Sequence, residues 1–212
     1  VLGASLEGPV DLVLVTDSQG ILGIGDQGVG GIHICQGKLA VYTLCAGLDP
    51  SRTLAVALDV GTNREALLAD PLYPGLRQRR LEADDYLAFV DEFVDAVMAV
   101  CPGAVLHWED FGTRNAQQLL ERYRSRLPSF NDDIQGTSGV ASAAVLAACR
   151  GLGHSLAEQR IVIFGAGTAG CGIAAGLLRL LESEGLSRER ARRCLWALDR
   201  PGLLLDNTPD LS

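Results

Sequence analysis

The sequence predicts an α/β fold: a parallel-sheet region followed by the first part of a second strand–helix–strand unit. Short, nearly continuous apolar runs rich in β-branched residues recur along the chain, and the gaps between them carry helical periodicity. A glycine-rich turn leaving one of these runs marks the start of the second region.

The runs Val10–Val15, Leu54–Val60, Ala104–Trp108 and Arg160–Phe164 read as parallel strands covered on both faces, since strands with one wet face would alternate apolar and polar residues. Lys38–Ala46 supplies the first helix. Between the second and third runs, Tyr86, Val90, Phe93, Val97 and Cys101 recur every three or four residues, with Asp84, Asp85, Asp91, Glu92 and Asp95 between them. That spacing gives one amphipathic helix. Asn115–Tyr123 and Ser138–Cys149 give two more, and Pro102-Gly103, Pro128 and Gly151–Gly153 separate the elements. The polar stretch from Pro128 to Asp133 is the predicted boundary, dividing the chain into 1–130 and 131–212.

Composition narrows the function classes. The 212 residues are 48% apolar and 21% charged, enough for a sizeable core and unlike collagen or a charge-dominated disordered chain. A net charge of −8 disfavours phosphate backbones, so no nucleic-acid partner is expected. The longest nearly unbroken apolar stretch, Val140–Cys149, interrupted by Ser142, has about half the ~20 residues a membrane span needs, so no membrane partner is expected either. Cys35, Cys45, Cys101, Cys149, Cys171 and Cys194 form no C-x-x-C pair and read as small hydrophobes in a reducing, cytoplasmic compartment. No leader is visible, although the chain opens on Val1 instead of Met. The basic clusters Arg77–Arg80 and Arg188–Arg193 read as solvated surface. His33, His107 and His154 are too scattered for a ligand set and read as structural or surface residues. Gly136-Thr-Ser-Gly139 lacks the spacing of a nucleophile elbow.

Arg160-Ile-Val-Ile-Phe-Gly165-Ala-Gly-Thr-Ala-Gly170 runs from a buried strand through G-x-G-x-x-G into a small-residue helix, the pattern that places a pyrophosphate on helix N–H groups. Gly165, Ala166, Gly167, Ala169 and Gly170 are the candidate contacts of a dinucleotide. Asp199, closing the next strand, can accept hydrogen bonds from the adenosine ribose and favours NAD over NADP. It follows Gly165 by 34 residues, beyond the usual ~20, which predicts a helix extended through Glu182–Arg193. The alternative is a glycine-rich turn without a nucleotide. The chain stops soon after this unit, at Asp210-Leu-Ser, although a complete dinucleotide fold has two such halves; the expectation is a fragment.

Two acidic pairs, Glu109-Asp110 and Asp132-Asp133, stand where apolar segments end. Clustered carboxylates without a Cys or His pattern suit Mg²⁺ or Mn²⁺ better than zinc. Neighbours on a regular strand point to opposite faces, so Glu109 and Asp110 converge only if the chain turns, which Phe111-Gly112 permits. Helix capping is the alternative for both pairs. Gly37-Lys38-Leu39 is no phosphate loop, because Gly31 and Gly37 enclose five residues and Leu39 stands where a hydroxyl is required. Lys38 is then either snorkelling to solvent or held in a cleft.

Val15-Thr-Asp-Ser-Gln-Gly-Ile-Leu-Gly-Ile-Gly-Asp26, Gly37-Lys-Leu, Leu58-Asp-Val-Gly-Thr-Asn63, Trp108-Glu-Asp-Phe-Gly112 and Phe130-Asn-Asp-Asp-Ile-Gln-Gly-Thr137 together resemble the malic enzyme family. The resemblance covers almost the whole chain. It implies a substrate and metal domain at 1–130 and the first part of a Rossmann-type NAD-binding domain at 131–212. Glu109, Asp110 and Asp133 become the metal ligands, Lys38 the general base and Asp132 its partner. The implied reaction turns L-malate into pyruvate and CO₂ with reduction of NAD, in a homo-oligomer, dimer or tetramer. Departures from the family pattern are Gly20, where many members have arginine, and His33 and Cys35 in the glycine-rich segment. The family's catalytic tyrosine lies upstream of residue 1 and its substrate-holding asparagines lie downstream of residue 212. Gly20 with Leu106-His-Trp-Glu-Asp is similar to the bacterial branch that includes malolactic enzymes, so conversion of malate to lactate is the alternative activity. A non-catalytic nucleotide-binding relative is the other.

Overall fold

Residues Leu12–Thr16 form β1, the strand about which the first half of the chain is built. The computed structural model describes residues 8–208, so Val1 and the terminal Asp210-Leu-Ser lie outside the described residues. The chain divides into two compact units, residues 1–130 and 131–212.

In the first unit a four-stranded sheet has the order β2-β1-β3-β4, with β2 at Thr53–Ala57, β3 at Val105–Trp108 and β4 at Ser129–Asn131. β2 and β3 flank β1 in parallel, pairing Val15 with Val56 and Trp108 respectively. All five residues of β1 are buried, as the unbroken apolar run requires of a central strand. Leu12 and Leu14 pack on Cys35 and Leu39 of helix α1, Ile32–Ala46. Their neighbours Val13 and Val15 point to the opposite face. After the short α2, Glu65–Ala69, helix α3, Ala83–Val100, buries Tyr86, Val90, Phe93, Val94 and Val97 and carries Asp84 and Asp85 in its first turn, where carboxylates meet the positive end of the helix dipole. Helix α4, Thr113–Tyr123, closes the unit. Trp108 stacks on Tyr123 at 5.6 Å between centroids and meets Phe111 edge-on at 5.5 Å.

The second unit begins with a wide helical turn at Asp132–Gly136, capped by the Asn131 side chain accepting from the Ile134 amide. Helix α5 spans Thr137–Leu152. Strand β5, Ile161–Phe164, pairs in parallel with β6, Leu195–Asp199, and β7, Gly202–Leu203, returns antiparallel. Helices α6, Thr168–Ser183, and α7, Arg188–Arg192, lie between β5 and β6 in sequence. Cys149, Leu156, Leu181 and Ala191 form the buried cluster here.

Several expectations are corrected. β5 is not covered on both faces: Ile163 is buried, but Val162 and Phe164 are 60% and 90% exposed. The helix carrying Lys38 starts six residues earlier, at Ile32, because the glycine at 37 is accepted within a run whose other residues form helix. The long spacing to Asp199 is filled by two helices, not one, since Gly185 takes a left-handed φ of 95° and ends the first. Arg80 is not solvated surface. It is 7% exposed, and its guanidinium donates twice to the Asp26 carboxylate and once to the Asp17 carbonyl.

Candidate active site

The loops leaving the carboxyl ends of β1 and β3 lie side by side, because those strands are parallel neighbours and the Glu109 amide donates to the Val15 carbonyl at 2.9 Å. Among described non-glycine residues only Ser18, Ala83 and Asp110 have a left-handed φ, and two of these three sit in the two loops. Such conformations cost of order 1–3 kcal/mol and gather at sites of function. At Asp110, with φ 57°, the reversal brings its carboxylate and that of Glu109 to one place: an oxygen of each lies within 4.8 Å of the other. The turn expected at Phe111-Gly112 is thus made one residue earlier. The N-cap of α4 is Gly112, with no side-chain cap bond.

Lys38, on α1, donates from Nζ to Glu109 Oε1 at 2.8 Å, and the two side chains are 25% and 7% exposed. The lysine is therefore held in the cleft instead of snorkelling. The second oxygen, Oε2, receives the His107 Nε2 at 2.6 Å, and the other ring nitrogen of His107 meets the Tyr42 hydroxyl at 3.2 Å. His107 is wholly buried, in keeping with a structural histidine, though its contact is with a predicted ligand. Tyr42 lies one helical turn beyond Lys38, and His107 precedes Glu109 by two residues, the strand's repeat. Those two spacings are the sequence signal by which Tyr42 and His107 are placed.

Two carboxylates face one ammonium here, and the excess negative potential is felt by Cys35. Burial first, then Glu109 and Asp110, push its thiol up to about 12 against the opposing pull of Lys38. A hard divalent cation, whose bonds to oxygen are about 2.0–2.6 Å, fits a buried pair of this charge and separation.

Gly20 has a packing reason. Its amide donates to the Asp110 carbonyl at 2.8 Å, and a Cβ at this position would stand 2.5 Å from the Phe111 carbonyl oxygen. No side chain, arginine included, fits without moving the loop that carries Asp110. Beneath, the Asp17 carboxylate accepts from the Tyr86 hydroxyl at 2.7 Å and the Gln19 amide at 2.9 Å. Burial holds Asp17 above the usual carboxylate range despite the Arg80 charge. Burial also raises Asp26, but Arg80 and the amides of Asn63 and Gly28 outweigh it and bring Asp26 down to about 2.

In the second unit Gly165 takes a φ of 106°, and a Cβ on Gly170 would lie 1.8 Å from the Gly165 carbonyl oxygen. The tight turn at Gly165 and the close approach of helix to strand at Gly170 are the two backbone features the G-x-G-x-x-G spacing calls for. Gly167 is the N-cap of α6, with Ala169 in its first turn and no side-chain cap, so the helix N–H groups are directed at the loop's mouth. Asp199 accepts from the Ala166 amide through Oδ2 at 2.7 Å and from the Arg200 amide through Oδ1 at 2.7 Å. These bonds hold its carboxyl below the usual range. Asp132 and Asp133 occupy the first turn after Asn131, and Asn131, not either aspartate, supplies the cap. The Asp132 carboxylate folds over Gly136, where an added Cβ would meet its Oδ1 at 1.9 Å.

Residues 2–124 match the malic enzyme N-terminal domain and residues 134–212 the malic enzyme NAD binding domain. NAD-dependent malic enzyme 3 of Bacillus subtilis is 53% identical over 202 residues, covering 95% of this chain and 36% of that protein. The NAD-dependent malic enzyme of Shewanella frigidimarina is 49% identical over 211 residues, 100% of this chain and 38% of its own length. The crystal structure of Entamoeba histolytica malic enzyme superposes with a TM-score of 0.69 at 25% identity, over 94% of this chain and 35% of that one. The chain therefore spans little more than a third of the length of these curated relatives. Two family domains in order, on a fold shared with a solved member, show that the chain belongs to the malic enzyme family.

Proposed function

We propose that the protein carries out oxidative decarboxylation of L-malate to pyruvate and CO₂, reducing NAD, with Mg²⁺ or Mn²⁺ as the metal. The observation that carries this reading is the Lys38–Glu109 pair at 2.8 Å, set beside Asp110 in the cleft between the β1 and β3 loops. A lysine held in place by a carboxylate is positioned, once its amine is neutral, to take the hydroxyl proton of a 2-hydroxy acid.

In this reading Glu109 and Asp110, joined by Asp133 on the strength of the family resemblance, hold the cation. A divalent ion held there would polarise the hydroxyl and carboxylate of malate and stabilise the charge left as CO₂ departs, and bound NAD would supply the acceptor for the hydride from C2. Glu109 gives up part of its negative charge in holding a cation, which reduces the cost of a neutral Lys38. Lys38 Nζ then takes the proton of the 2-hydroxyl, with Asp132 as its partner by resemblance. Gly165, Ala166, Gly167, Ala169 and Gly170 receive the dinucleotide pyrophosphate, and Asp199 faces the adenosine ribose, disfavouring a 2′-phosphate by charge.

Two further parts of the reading are a cytoplasmic setting and a homo-oligomer. All six cysteines are free, which supports a reducing compartment, and the homo-oligomer rests on the family resemblance. Among the described residues no helix is long and apolar enough to cross a membrane. A second reading, malate to lactate and CO₂ with NAD retained, is favoured by Gly20, whose packing leaves no room for an arginine.

The test is NADH formation by the protein at its full encoded length with L-malate, NAD and Mn²⁺. Malate-dependent NADH that disappears with EDTA and returns with added Mn²⁺ is expected. NADH formation indifferent to EDTA, or none with malate, would overturn the reading.

A further inference from the structure

The Glu109 carboxylate is committed at both oxygens, to Lys38 at Oε1 and to His107 at Oε2. A carboxylate only accepts, so Nε2 of His107 carries the proton and donates; in the neutral ring Nδ1 is left to accept from the Tyr42 hydroxyl. The imidazole is also clamped by packing. The Phe130 ring lies 4.4 Å from it and tilted by 40°, and the Tyr42 ring lies 5.7 Å away. His107 has no solvent exposure, so the donor to Oε2 is held in place by the packing around it. We propose that His107, oriented by Tyr42, is a positioning residue that fixes the Glu109 carboxylate for cation binding and for its contact with Lys38. The proposal rests on the metal reading given above. Neither side chain need touch the cation. Their part is to remove the torsional freedom of a three-bond side chain, which would otherwise be lost only when the cation binds.

The experiment is Mn²⁺ titration of the full-length protein, followed by the electron paramagnetic resonance signal of free Mn²⁺, with thermal unfolding measured on each variant. His107→Leu removes the donor and His107→Gln keeps an N–H at a similar reach. His107→Leu is expected to weaken Mn²⁺ binding roughly 10- to 100-fold, the range found for groups behind metal ligands, and His107→Gln to restore most of that loss. A merely structural role would lower the unfolding temperature of both variants without this rescue. Tyr42→Phe, which deletes one hydroxyl, keeps the test open should His107→Leu fail to fold, and it is expected to weaken Mn²⁺ binding several-fold. Wild-type affinity in His107→Leu, or in Tyr42→Phe where the leucine variant is unfolded, would overturn the proposal and leave the metal reading standing. Absence of Mn²⁺ binding by the wild type would overturn both.

Discussion

Lys38 and Glu109 meet at 2.8 Å although 71 residues separate them, one on the helix that covers β1 and β2 and the other on the loop that leaves β3. The pair gives the lysine a fixed position without removing it from solvent, as its 25% exposure records. Lys38→Ala is expected to lower kcat by about 10²- to 10⁴-fold, the usual worth of a positioned base, with little change in affinity for NAD. Steady-state kinetics with separate NAD titration checks this. An unchanged kcat would remove Lys38 from the role of base.

Gly20→Ala tests the backbone contact beneath the acidic loop. The new Cβ, 2.5 Å from the Phe111 carbonyl oxygen, must push apart two segments of main chain. The expected cost is about 1–3 kcal/mol, typical of overpacking, read as a lower unfolding midpoint. Because Gly20 and Asp110 share a backbone hydrogen bond, weaker Mn²⁺ binding is expected alongside. Wild-type stability and Mn²⁺ affinity would show that the loop yields freely.

The Arg80 cluster sets an acid limit. Asp26 sits at about 2 in the folded state, below its unfolded value near 3.9. A depressed carboxyl contributes stability above the unfolded pKa and loses it as pH falls through the folded one, so the loss is expected between about pH 4 and pH 2. Asp17 is raised by burial, so its protonation takes place at higher pH and favours the folded state as pH falls. Thermal unfolding across this window should show a fall in midpoint that is reduced in Asp26→Asn. Arg80→Met leaves Asp17 buried without its cation and is expected to cost about 3–5 kcal/mol near neutral pH; a loss below 1 kcal/mol would contradict the burial of this charge cluster.

Asp199 is anchored by the amides of Ala166 and Arg200, which places a negative charge beside the glycine-rich loop. Asp199→Ala is expected to narrow the preference for NAD over NADP by at least tenfold in kcat/KM, because a phosphorylated ribose no longer meets a carboxylate. An unchanged ratio would move cofactor selection elsewhere.

Much of the fold is legible in the chain because buried parallel strands are written as short continuous apolar runs. Val10–Val15 and Ala104–Trp108 are near-complete readings of β1 and β3. β5 carries the same kind of run, yet Val162 and Phe164 are exposed; composition records what a strand is able to bury, not whether a partner covers it. Arg80 was hidden within a basic cluster because the acids that bury it, Asp17 and Asp26, lie more than 50 residues away. At the site, the type of chemistry is readable in Glu109-Asp110 and Lys38, since carboxylates at strand ends are local signals. What is not readable is the left-handed turn at Asp110 and the His107–Glu109 contact. Both depend on how two loops pack, and a scattered histidine gives no sign of its neighbours until the strand register is known.

Separation of the products that the full-length protein forms from L-malate with NAD and Mn²⁺, while NADH is followed by absorbance, distinguishes the two decarboxylations. Pyruvate and NADH in equal amounts are expected. Lactate without net NADH would contradict oxidative decarboxylation and place the protein with malate-to-lactate conversion.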